Sequence, residues 1–337
     1  MRRVASLTCA AVLVAALAGC ERGPNEPPRH PLIRVGVLPF LGYAPHFIAA
    51  DRGVFAAHGL DVSLVPVAPS EVTLVLARGE VDVTSQYLSV GLFNLIAQGA
   101  SVTIVADKGH AEPGGCGDDG FVARRDLVGG GQLDTAKGLK GRWIVYDQAS
   151  VEEFLLERLL VAEGMTLADV KKAGVPESAK ADALRGGYID LVHWSEPQIS
   201  QMQDAAIGTL WRSTAQIAPG LQFAFVVYGK RLAEVEPALG ERFMAAYLEA
   251  VRLYQAGPVP ANVAAIVAHT GLPEETVRRA CWATIRGDGE IGVESVIAFQ
   301  RWAVDHGYLD AVVPAERFWQ PRFIVAARAE AQRGGGR

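Results

Sequence analysis

Short apolar runs alternate along this chain with stretches whose apolar positions recur every three or four residues. Residues 33–38 read as a strand, 45–58 as a helix, and 60–65 as a strand with Leu60, Val62 and Leu64 on one face. Residues 70–78 read as a second helix, with short strands at 81–84 and 102–106. Strands alternating with helices predict an α/β architecture with a largely parallel sheet.

The pattern then repeats. Leu76-Ala77-Arg78-Gly79-Glu80-Val81-Asp82 is a helix end, a glycine and a strand start, and Leu184-Arg185-Gly186-Gly187-Tyr188-Ile189-Asp190 is the same arrangement 108 residues later. A helix that turns at once into a strand usually ends in a left-handed residue, which favours glycine there. The same offset carries the first strand onto 142–146, the loop 40–43 onto 148–151, and the helix from Pro45 onto 153–161. Three elements in register predict two similar α/β lobes, the first from 31–120 plus 225–328 and the second from 121–224. Residues 221–228 form a further strand, followed by helices at 234–255, 261–270, 273–285 and 293–306, with Pro258, Pro260, Pro273 and Pro314 marking starts and breaks. This helical extension is expected to pack on lobe one, and the glycine-containing tail 329–337 to fray. Ligands of parallel α/β sheets bind beyond the carboxyl ends of the strands, here the loops after Leu38, Val65, Thr84, Ala106, Tyr146 and Val192.

The N-terminus is of a different kind. Arg2 and Arg3 precede an apolar run, 4–18, that is short for a membrane span and ends in Leu17-Ala18-Gly19-Cys20. That ending resembles the lipobox of bacterial lipoproteins, which implies cleavage before Cys20 and lipidation of its thiol. Residues 1–20 are then a lipoprotein signal, and the proline-bearing segment 21–30 a disordered tether to the membrane. The net charge of −5 becomes more negative once the two signal arginines leave, and no Lys/Arg cluster is interleaved with aromatics, which argues against nucleic acid. Of four cysteines, Cys116 and Cys281 remain in the body, in an oxidising compartment, as a disulfide or as two buried thiols.

The candidate ligand-binding residues sit in the predicted strand-end loops. Phe40 and Tyr43 follow the first strand, either to stack on a planar ligand or to pack the sheet edge. Ser85, Gln86 and Tyr87 follow the strand at 81–84; His193, Trp194, Ser195 and Glu196 occupy the equivalent place in lobe two. Gln148 and Ser150 precede a helix, where Ser150 with Glu153 three residues on reads as a capping box; such a helix start also attracts anions. Ser70 reads as a second cap. Lys108 is the one obvious cation in a strand-end loop, which leaves an anion weakly provided for. The segment 114–120 is glycine-rich and carries Cys116, Asp118 and Asp119; it reads as a solvated hinge or as a close backbone approach to a ligand, with the two aspartates able to meet a cationic group or a metal. With His110 it makes no metal spacing. Gly-x-Ser-x-Gly, Walker and His-Glu-x-x-His motifs are absent from the sequence, so no catalytic residue, metal or cofactor is assigned.

Taken in order, several segments resemble the periplasmic solute-binding proteins of ABC importers, of the group that binds sulfonates, taurine, nitrate and thiamine pyrimidines. They are 49–62 (AADRGVFAAHGLDV), 76–82, 138–142, Glu196-Pro197, and 299–309 (FQRWAVDHGYL). The resemblance covers about 33–323. It implies a type II periplasmic-binding-protein fold, a ligand cleft between the lobes, and capture of a small organic molecule or oxyanion by hinge closure. It also implies permease and ATPase partners, no catalysis, and a monomer held at a periplasmic or cell-surface membrane through Cys20. The aromatic residues near the cleft favour an organic ligand with a ring or a weakly charged group. Two alternatives share the fold: a thiamine-pyrimidine-type biosynthetic enzyme and a ligand-presenting sensory module.

Overall fold

The computed structural model describes residues 30–334. The signal segment, Cys20 and the tether up to residue 29 lie outside the described residues. Four strands come first: β1 (Leu32–Val37), β2 (Asp61–Pro66), β3 (Val83–Tyr87) and β4 (Val102–His110). The chain then crosses to a second sheet made of β5 (Asp119–Arg124), β6 (Trp143–Val145), β7 (Lys171–Lys172), β8 (Leu191–Ser195) and β9 (Gly208–Ser213). It returns as β10 (Gln222–Gly229). The sheet orders are β2-β1-β3-β10-β4 and β7-β6-β8-β5-β9. Each sheet has a parallel half and one antiparallel strand in its fourth place, the strand that has just crossed from the other lobe. The sheets are therefore mixed rather than largely parallel, because a crossing strand enters from the opposite direction.

The internal repeat has a physical counterpart. Asp82 lies beyond β1 and accepts the Arg34 backbone N–H at 2.8 Å, while its own N–H donates to the Arg34 carbonyl at 2.8 Å. Asp190 does the same with Trp143, at 2.9 Å and 2.8 Å. Arginines surround each carboxylate, Arg34 and Arg231 in one lobe, Arg124 and Arg142 in the other. The helix–glycine–strand element keeps the offset of 108. In the first strand Arg34 corresponds to Trp143, one residue further on, because strand pairing rather than sequence similarity sets the register there.

The C-terminal helices cover the first sheet as expected. Helices Ala44–Asp51, Pro237–Tyr254 and Arg322–Gly334 bury Phe47, Phe243 and Phe323 in one core, where Phe243 and Phe323 meet the ring of Tyr228 on β10. Three differences from the sequence reading have local causes. Gly53, at φ 71°, divides the first helix into Ala44–Asp51 and Val54–Ala57. Pro237 opens the long helix, and a wide turn, Arg231–Val235, stands before it. The expected frayed tail is helical as far as Gly334, as its Ala-, Arg- and Glu-rich sequence favours.

The extension also reaches the second lobe. Phe154, on helix Val151–Val161, packs on Phe299 and Trp302 of helix Val293–Asp305, with ring centroids 5.7 and 5.5 Å apart. Cys281 is bonded to Cys116 of the crossing segment. Among the described residues no helix is long and apolar enough to cross a membrane.

Candidate functional site

The lobes enclose a cleft of about 600 Å³. Its two walls differ in chemistry. The first-lobe wall presents Phe40, Tyr43, Ser70, Thr73, Ser85, Gln86 and Tyr87, with no acid, lysine, arginine or histidine. The second-lobe wall holds Asp119, Asp147, Glu152, Glu177, Lys180 and His193 beside Trp194.

The first wall is held by its own hydrogen bonds. Ser85, Gln86 and Tyr87 lie within β3 instead of after it, because antiparallel pairing with Val226, Phe225 and Ala224 of β10 extends the strand. Tyr43 donates its hydroxyl proton to the Ser85 carbonyl at 2.6 Å, and the Ser85 hydroxyl lies 3.2 Å from Nε2 of buried His46. Burial, with Lys108 nearby, holds His46 down to about 3, so its ring is neutral. Gln86 accepts from Thr73 at 2.8 Å and donates to Thr84 at 3.0 Å. Tyr87 stacks on Phe223 with centroids 6.0 Å apart.

On the second wall Trp194, 6% exposed, donates its indole N–H to Glu177 at 2.9 Å, and Glu177 is paired with Lys180 at 2.6 Å. His193 sits between two carboxylates, 3.1 Å from Asp119 and 3.8 Å from Glu152. Burial alone would lower its pKa, but Asp119 and then Glu152 outweigh that and leave it raised. Burial raises Glu152. Asp119 accepts from the Thr214 hydroxyl at 2.5 Å through Oδ1; its Oδ2 is buried without a hydrogen-bond partner.

Four residues singled out in the sequence have other surroundings than expected. Ser150 caps the Glu152 N–H at 3.1 Å, while Glu153 reaches the Ala149 N–H rather than the cap's own. The N–H of Val151 is taken by the Leu88 carbonyl, and Val90 donates to Ala149, so two helix starts are joined backbone to backbone across the lobes. Ser70 is not a cap; the short helix there starts after Glu71. Gln148 is outside the cleft lining, exposed, and donates to the Tyr308 hydroxyl at 3.1 Å. Glu196 accepts from Ser200 N–H and hydroxyl and from Cys281 N–H, holding the lobe junction.

Lys108 is inside β4 rather than in a loop. Its ammonium is buried, 4.7 Å from the Tyr43 ring centre and 4.8 Å from that of Tyr87, with Asp118 and Glu196 around the same small void. A Cβ on Gly42 would fall 2.7 Å from Lys108 Nζ, which explains that glycine. Burial brings Lys108 down to about 8 and Asp118 up to about 7. Sequence reasoning missed the acids Glu152 and Glu177 and the lysine Lys180, which lie on or before helices; only the fold turns them to the cleft.

The sequence matches the family model of the NMT1-like family over residues 26–270. The chain belongs to the NMT1-like family. Solved structures similar to this NMT1-like chain share its two-lobed periplasmic-binding-protein fold. A ligand-binding component of an ABC-type import system from Staphylococcus aureus, with zinc bound, is 13% identical with a TM-score of 0.71, covering 88% of this chain and 98% of its own. The nitrate-binding protein NrtA from Synechocystis is 15% identical with a TM-score of 0.70, covering 88% of each chain. The aliphatic sulphonate binding protein SsuA from Escherichia coli is 17% identical with a TM-score of 0.69, covering 86% and 92%. A comparison with curated protein sequences returns no significant match.

Proposed function

We propose that this NMT1-like protein is the lipid-anchored, extracytoplasmic solute-binding subunit of an ABC importer. The observation that carries the reading is the cleft: about 600 Å³ between two lobes, lined by aromatic and polar side chains from both. That is the size and composition of a small-molecule site. Phe40, Tyr43, Ser85, Gln86, Tyr87, Ser150 and Trp194 line it and are the proposed ligand contacts, with Glu196 at the small neighbouring void. The solute enters an open form, the lobes close on it, and the closed form docks on a permease. The tether from Cys20 keeps the receptor near that permease and raises its effective concentration there.

Two features of the similar structures support import, since they include a component of an ABC-type import system and two periplasmic binding proteins. The test has two arms. Cells expressing the full chain should incorporate labelled palmitate into it, and Cys20→Ala should abolish labelling. Deleting the gene should abolish uptake of the bound solute, and restoring it should restore uptake. A chain that is not labelled overturns the anchor, and uptake indifferent to the deletion overturns import.

A further inference from the structure

We propose that the cleft selects a cation: a small molecule with a flat apolar body and a protonated nitrogen bearing N–H donors. The inference rests on the solute-binding reading and names its ligand class. The motivating observation is Asp119, a cleft-lining side chain only 2% exposed whose Oδ2 is buried without a hydrogen-bond partner. A buried acceptor left without a donor is destabilising, and a charged one more so. A ligand N–H would remove that penalty.

The charge around Asp119 points the same way. All the ionisable side chains of the cleft other than its two tyrosines belong to the second lobe. Its four carboxylates face one lysine and one histidine. The lysine is already paired with Glu177, and the histidine lies between Asp119 and Glu152. No arginine lines the cleft among the described residues. The helix start at Ser150 is also taken: the Val151 N–H goes to Leu88 and the Glu152 N–H to the Ser150 hydroxyl. An oxyanion would meet four carboxylates, and the cationic groups of the wall, Lys180 and His193, already lie against Glu177, Asp119 and Glu152. An ammonium or amidinium group would meet Asp119 and Glu152, with Trp194 and Phe40 beside its body, an environment that also favours cations through the ring faces.

The sharpest test uses probes that share a body and differ in the sign of the head group. Benzylamine and benzamidine are titrated against phenylmethanesulfonate by calorimetry on the mature chain at neutral pH. The expected result is saturable binding of the two cations, weakened at least about tenfold by Asp119→Asn, reduced at high salt, and no binding of the sulfonate. Glu152→Gln, at a less buried carboxylate, should weaken the cations while leaving the melting temperature of the free protein near wild type, which separates charge from folding. Binding of phenylmethanesulfonate, or cation binding that neither substitution alters, overturns the charge assignment and leaves the solute-binding reading standing. If neither cation binds the folded chain, this inference is overturned; the solute-binding reading then falls only if a wider solute panel also fails.

Discussion

At the scale of single residues, polar groups are buried here in matched sets. Asp82 accepts a backbone N–H and contacts two arginines while 2% exposed. Asp82→Ala should therefore lower stability by about 1–3 kcal/mol, the cost of an unmade buried donor, measured by urea unfolding. An unchanged midpoint would mean that water replaces the carboxylate at no cost. His306 offers a pH readout. Burial lowers it, but the Trp302 carbonyl at 2.8 Å and Glu157 at 3.1 Å leave its pKa raised. A raised folded pKa contributes stability that is fully present below the unfolded value near 6.5 and is lost as pH rises through the folded value. NMR titration should show His306 changing above 6.5, and Glu157→Gln should bring it down.

At the scale of elements, much was legible. Hydrophobic alternation located β1, β2 and the C-terminal helices Pro237–Tyr254, Pro260–Thr270 and Val293–Asp305, whereas the helix expected over 273–285 ends at Arg279; the Leu-Arg-Gly-Gly element announced the second lobe. What failed were boundaries set by distant partners. The stretch Ser85-Gln86-Tyr87 is polar and reads as loop, yet β10 pairs with it and makes it strand. Lys108 and His110 also read as loop; Asp107, Gln222 and the opposing strand satisfy that stretch inside the sheet. Local sequence does not contain a partner more than a hundred residues away. The Cys116–Cys281 pairing is of the same kind: spacing left it open, and the fold brings the Cα atoms to 5.6 Å. The bond closes a segment of 165 residues. Its loss through Cys116→Ser with Cys281→Ser should cost about 2–5 kcal/mol, read as a drop in unfolding free energy matched by wild type under reductant.

At the scale of the molecule, the two sheets exchange one strand each, and the C-terminal extension contacts both. That arrangement ties the lobes at the back while the walls meet across about 600 Å³ in front. Of the proposed ligand contacts, the aromatic set was readable from strand-end loops. The acid set was not, because Glu152 and Glu177 look like ordinary helix-start residues until the second lobe presents them. Trp194→Ala would remove a large ring from one wall and its hydrogen bond to Glu177. It should weaken solute binding by about tenfold or more while leaving folding intact, as judged by far-UV circular dichroism.

The central claim is that this chain captures a solute and returns it unchanged. Equilibrium binding of the body 31–337 to a panel of amines, heteroaromatics, sulfonates and oxyanions, followed by chemical analysis of the recovered solute, tests it most directly. The expected result is saturable one-to-one binding, a melting temperature that rises with ligand concentration, about 2.7 kcal/mol of stabilisation at a hundredfold excess over Kd, and quantitative recovery of intact ligand. Conversion of the solute to product, or a folded chain that binds no member of the panel, would contradict it.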